Sequence, residues 1–155
     1  IYDAEHCLES TVRMADALGL NPGRVVFELV EGERLPDTDH LLGIVGYYRR
    51  HGYEVAVDDL GAGYASLQLL LALRPDYVKL DMSLVRGVDA DPGKAVLAGK
   101  VLEAARDMGI RSVAEGVETT GEWKWVRDHG ATFVQGFLFA RPASPPPAVT
   151  VPTLA

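Results

Sequence analysis

From Val55 the chain runs apolar as far as Val57, then meets two adjacent carboxylates, Asp58 and Asp59, ahead of the turn Gly61-Ala62-Gly63. Two acids at a strand exit are hard oxygen ligands in the place where a divalent cation would sit. Other short apolar runs also end in groups a strand has little structural use for: Glu28 and Glu31 after Val25-Val26-Phe27, Lys79 and Asp81 around Leu80, Glu115 and Glu118 after Ser112-Val113-Ala114, and Gln135 after Phe133-Val134.

Glu28, Asp58, Asp59 and Glu115 together offer oxygen ligands, with Gln135 as a neutral one, and magnesium or manganese is the natural guest. Adjacent aspartates suit a pair of ions, because one carboxylate can bridge both while its neighbour binds one. Such two-metal sites, with ions roughly 3.5–4 Å apart, clamp the attacking and leaving oxygens of a phosphoryl displacement. An ammonium at Lys79, among this many carboxylates, keeps its charge and is placed to bind a phosphate oxygen or orient an attacking water. Glu115 is the candidate general base. Glu31 and Glu118 fall one position beyond the inward set and are expected to support the site from behind.

Plainer roles compete with each assignment. A single acid at a strand end is more often a helix cap or a loop ion pair. Lys79 at a rim can simply snorkel, and Asp81 can simply cap the turn leading to Ser83. The coincidence of several such strand ends outweighs these readings. His6, His40, His51 and His129 show no ligand spacing, and Cys7 reads as a small packing residue.

The 155 residues are 48% hydrophobic, enough for one globular domain or a large piece of one. A single cysteine excludes an internal disulfide and a thiolate zinc cluster, and is compatible with the reducing cytoplasm. The net charge of −7 excludes a general nucleic-acid surface but not a small anionic ligand held through metal. No apolar run approaches the roughly 20 residues of a membrane span, and the first residues lack the pattern of a signal peptide.

Helical periodicity covers Ala4 to Leu18 and Leu41 to Tyr48, with Gly19 and Gly52 as stops. A short helix is expected from Ser66 to Leu73. Another opens at Asp91-Pro92, with the aspartate as N-cap, and closes at Gly109; a last one spans Thr120 to His129 and stops at Gly130. Strands alternating with helices, and rich in Val, Leu and Ala, describe a parallel sheet covered by helices. An open doubly wound sheet gathers its ligand groups at one switch point, whereas a β/α barrel draws them from the ends of several strands. The second pattern is the one seen, and the first strand lacks a GxGxxG or P-loop turn. The fold expected is therefore a TIM-type (β/α) barrel. A closed one takes eight strands and about 250 residues, so only about five strands are expected here. Residues 1–142 form the barrel part, and 143–155, with Pro145-Pro146-Pro147, read as a tail or linker.

Glu28-Leu29-Val30-Glu31, Asp58-Asp59-Leu60-Gly61-Ala62-Gly63-Tyr64-Ala65-Ser66-Leu67, Val78-Lys79-Leu80-Asp81, Ala114-Glu115-Gly116-Val117-Glu118-Thr119 and Gln135-Gly136-Phe137-Leu138-Phe139 resemble the EAL domain family in content and order. The resemblance implies a barrel that hydrolyses cyclic di-GMP, a bacterial second messenger, to the linear dinucleotide with magnesium or manganese. It implies Glu28, Asp58 and Asp59 as metal ligands, Lys79 on the catalytic water, Glu115 as general base and Gln135 as a late site residue. Glu31 would hold the loop after Asp59, which the family links to homodimerisation, and Glu118 would support the site. Attached regulatory domains are expected.

The family's Glu-Ala-Leu strand and a strand carrying a metal-binding asparagine would precede Ile1. Without them the first metal loses two ligands and these residues alone are expected to be poorly active. Val30, Leu60, Ala62 and Met82 stand where the family usually has threonine, phenylalanine, threonine and arginine. A different class of function is a catalytically silent EAL-like module that binds the dinucleotide or a partner protein as a sensor. A weaker one is an unrelated barrel enzyme acting on a phosphorylated metabolite.

Overall fold

The computed structural model describes residues 4–29, 38–60, 70–149 and 151. Five parallel strands lie side by side in chain order: β1 (Val26–Leu29), β2 (Glu54–Leu60), β3 (Tyr77–Leu80), β4 (Arg111–Ala114) and β5 (Phe133–Val134). Helices Ala4–Ala17, Thr38–Arg50, Pro92–Asp107 and Thr120–Asp128 pack on the sheet, with a 3₁₀ turn at Pro22–Arg24 and a short helix at Met82–Val85.

The sequence rules for helix ends hold where they depend on local chemistry. Asp91 accepts the N–H groups of Gly93 at 2.8 Å and Lys94 at 3.1 Å, opening the Pro92–Asp107 helix. Thr119 and Glu122 cap the Thr120–Asp128 helix reciprocally as a capping box. Of the helix expected from Ser66 to Leu73, residues 70–73 are helical and 66–69 lie outside the described residues. The strands are shorter than the apolar runs implied. β4 stops at Ala114, ahead of Gly116 with its φ of 68°, and β5 at Val134, ahead of a turn in which the Phe139 N–H donates to the Gly136 carbonyl at 3.1 Å. The Met82–Val85 helix replaces the simple turn expected after Asp81.

Alternation along the strands separates two faces. On one, Phe27, Val55, Val57, Val78, Leu80, Ala114 and Val134 join the cores formed with Val12, Val45, Leu102, Ala105 and Val126 from the helices. On the other, the register runs Glu28, Ala56, Tyr77, Arg111 across four strands, with Lys79 beside Val113 and Val113 beside Phe133. The cores gather helices on the first face alone, which is the layering of a β/α barrel segment. A doubly wound sheet would bury both.

Candidate active site

The polar face carries two layers of functional side chains. The lower one joins strands near their starts: Tyr77 donates its hydroxyl to Glu54 at 2.9 Å, Arg111 pairs with Glu54 at 2.6 Å, and the Arg111 guanidinium lies 3.9 Å from the Tyr77 ring centroid. This layer escaped the reading of strand ends. Its signal was present in the alternation of Glu54, Tyr77 and Arg111 with apolar neighbours. The upper layer lies at the carboxyl ends of the strands and holds Glu28, Asp58, Lys79, Glu115 and Gln135.

Adjacent residues of a regular strand point to opposite faces, so Asp58 and Asp59 need a backbone irregularity to cooperate. The pairing supplies one. Val57 faces Val78 and Leu60 faces Leu80, so three steps on β2 match two on β3. Within that bulge Asp59 takes a φ of 57°, the left-handed region. Its N–H donates to Asp58 Oδ1 at 2.9 Å. One carboxylate oxygen from each of Asp58, Asp59 and Glu115 consequently lies within 4.8 Å of the others.

Lys79 stands at the centre. Its Nζ lies 3.1 Å from Glu28 Oε2, 3.1 Å from Asp58 Oδ1 and 3.0 Å from Glu115 Oε1, with only 11% of the side chain exposed. Burial by itself pulls the ammonium pKa down. Hydrogen bonds to Glu115, Asp58 and Glu28 outweigh it and hold the pKa above the ordinary lysine value, so the group stays charged. The Glu115 pKa is raised as well, but here burial is the cause. Burial pushes its carboxyl above the usual range, against the pull of Lys79, and the charges of Asp58 and Glu28 add to the rise. A carboxylate with a raised pKa is the better proton acceptor. Gln135 Nε2 donates to Glu115 Oε1 at 3.1 Å, fixing the oxygen that also meets Lys79.

Asp81 accepts the Ser83 N–H at 2.9 Å and caps the Met82–Val85 helix. Burial would raise its pKa, but hydrogen bonds from Ser83 and the Met82 N–H outweigh it and hold the carboxyl below the ordinary value. Glu118 does not reach the cluster; it pairs with Arg86. Glu31, Val30 and Ala62 lie outside the described residues, as does the loop at 61–69. A cavity of about 850 Å³ opens beside the cluster, walled by Asp59, Asp81 and Glu115 on one side and by Phe137, Pro146 and Val149 on another. The segment expected to be a tail thus borders the site.

The donor chemistry fits a hard divalent cation: clustered carboxylates, a bulge that brings the second aspartate inward, and a cation already drawn into the same place. Glu28 joins the cluster through Lys79 and keeps half of its side chain exposed, on the edge strand of the described sheet.

The EAL domain family model matches residues 2–142. A probable cyclic di-GMP phosphodiesterase, PdeG of Escherichia coli K12, is 32% identical over 148 residues, covering 92% of this chain and 29% of the relative. Among solved structures, a c-di-GMP-bound standalone versatile EAL protein from Vibrio cholerae O395 aligns with a TM-score of 0.88 and 35% identity, covering 97% of this chain and 64% of that one. The manganese and cyclic di-GMP complex of BlrP1 from Klebsiella pneumoniae aligns with a TM-score of 0.81 and 38% identity, over 87% of this chain and 34% of that one. The chain therefore spans under a third of the curated relative's length.

Proposed function

Because the chain belongs to the EAL domain family, we propose that its domain is a phosphodiesterase that hydrolyses cyclic di-GMP to linear pGpG in bacterial second-messenger signalling. The observation that carries this reading is the meeting of Lys79 with Glu28, Asp58 and Glu115, beside an Asp59 turned inward by the bulge. A binding module has little need for a buried ammonium and a basic carboxylate in contact.

Asp58 and Asp59, with Glu28, would hold magnesium or manganese. When bound, the ions neutralise phosphate charge and make water more acidic. Lys79 holds a phosphate oxygen or the attacking water, since its charge is secure. Glu115 takes the proton from that water; Gln135 and Lys79 keep the accepting oxygen in place. The water oxygen bonds to phosphorus, the opposite ester bond to the 3′-oxygen breaks, and that oxygen leaves with a proton. The 5′-phosphate stays on the linear product. Asp81 and Glu118 shape the strand exits that carry Lys79 and Glu115, and Glu31 belongs to the support of the loop after Asp59.

The barrel part comprises residues 1–142 in this reading. A cytoplasmic setting, attached regulatory domains and a homodimer through the loop after Asp59 belong to the same proposal. No helix among the described residues is long and apolar enough to cross a membrane.

The test is manganese-dependent hydrolysis by the domain with its upstream strands present, alongside Glu115→Gln. Turnover that falls by about 10²-fold or more in the variant supports the base assignment. Tight binding of cyclic di-GMP without turnover in the parent protein would select the silent sensor. Absence of binding to any cyclic dinucleotide would favour a barrel enzyme for another phosphorylated substrate.

A further inference from the structure

Glu115 sits one residue past the end of β4; its N–H still donates to the Leu80 carbonyl at 3.2 Å, but the residues after it leave the strand. Besides the bond from the Val117 N–H to the Gln135 carbonyl, side-chain contacts fix the next residues. Arg86 Nε donates to the Gly116 carbonyl at 3.0 Å, across 30 positions of sequence, and its terminal nitrogen pairs with Glu118. Glu118 and Thr119 give their N–H groups to Glu122 Oε2 at 2.9 and 3.0 Å, while Glu122 Oε1 accepts the Gly87 N–H at 2.8 Å. Arg86 and Gly87 thereby grip both ends of the 116–119 turn.

The turn has little room to move on its other side. Gly116 has a φ of +68°, and a Cβ there would lie 2.6 Å from the Met82 Cβ. Met82 and Arg86 belong to the same helix and its cap. One face of that helix therefore supports the turn while Arg86 draws it in.

We propose that Arg86 is a positioning residue, whose guanidinium ties the Glu115 turn to the Met82–Val85 helix and so keeps the Glu115 carboxylate on Lys79 and Asp58. This inference rests on the hydrolase reading for its kinetic consequence. The Arg86 and Glu118 side chains are 39% and 35% exposed, and a pair at such exposure contributes little to stability. Its effect is on geometry: a general base displaced from its water loses rate without loss of fold.

The experiment uses the full-length protein with manganese and cyclic di-GMP. In Arg86→Ala, kcat is expected to fall about tenfold or more, as for partners that orient catalytic ligands. KM should change by no more than about twofold although Arg86 borders the cavity, since its guanidinium is engaged by Gly116 and Glu118. The melting midpoint should drop by no more than about 4 °C. Arg86→Lys should recover part of kcat, because an ammonium can still donate to the Gly116 carbonyl or pair with Glu118. If the alanine variant does not fold, Arg86→Met, which retains the packing of the stem, is read by the same criteria. A kcat within about twofold of the parent in either folded variant overturns the proposal. A crystal structure of the variant decides the matter independently of turnover: Glu115 displaced from Lys79 supports the role, and an unchanged contact overturns it. A parent protein without turnover defeats the hydrolase reading, and that crystal structure still decides for Arg86.

Discussion

Lys79 compensates several carboxylates at once, and the consequence is testable without catalysis. Lys79→Met removes the cation that Glu28, Asp58 and Glu115 share, leaving the three carboxylates with no other positive partner among the described residues. We expect a loss of about 1–3 kcal/mol in urea unfolding at pH 7. Manganese should shrink that deficit, since a divalent ion restores positive charge at the same place; an unchanged deficit would count against metal binding there. Glu122 offers a pH test. Only 4% exposed, it accepts the N–H groups of Gly87, Glu118 and Thr119, and its carboxyl pKa is held below the ordinary value although burial opposes this. An unfolded Glu titrates near ~4.3 and the folded one lower, so between the two the unfolded state binds more protons and stability rises with pH. The Glu122 contribution is complete above that unfolded value and disappears as pH falls through the folded pKa. Glu122→Ala should cost about 2–4 kcal/mol at pH 7. The gap from the parent protein should narrow on acidification below about pH 4, and a gap independent of pH would refute the argument.

At the scale of the element, the loops after β4 and β5 touch backbone to backbone. The Val117 N–H donates to the Gln135 carbonyl at 3.1 Å, and a Cβ at Gly136 would lie 2.1 Å from the Val117 carbonyl oxygen. That neighbour is main chain and cannot swing aside. Gly136→Ala should therefore destabilise by about 2–4 kcal/mol and loosen the Gln135 contact with Glu115. Calorimetry checks the first effect; a melting point equal to that of the parent protein would show that the loops separate readily. Thr119→Ala removes one half of the capping box and should cost about 1 kcal/mol.

Across the whole molecule, the described sheet has β1 and β5 at its edges, and Glu28 stands on the first of them. Edge strands with open hydrogen-bonding groups seek a partner. On the hydrolase reading, a longer domain that adds a strand beside β1 should hydrolyse cyclic di-GMP at least about tenfold faster than the 155 residues alone, because Glu28 is half exposed there. Equal rates per active site would show that the five strands suffice. The segment beyond Pro142, which borders the cavity through Pro146 and Val149, has no helix or strand to anchor it among the described residues.

Much of this architecture was legible in the chain itself, for a physical reason: alternation, caps and glycine stops depend on residues a few positions apart. Asp91 and Pro92 announced a helix, Gly109 and Gly130 closed two, and the strand-end acids, with the EAL-like motifs, named the family. The Thr119 and Glu122 spacing carried a capping box that the strand-end reading passed over. What only the tertiary structure decided were encounters across long separations. Lys79 meets Glu28 over 51 positions, and Arg86 reaches Gly116 over 30. No local pattern states that Asp58 and Asp59 share a face, because alternation alone sends them apart; the bulge in β2 and the left-handed Asp59 bring them together. Residue types could be read from the sequence because each carries its own chemistry, whereas contact between them depends on register, and register is set by the packing of the sheet.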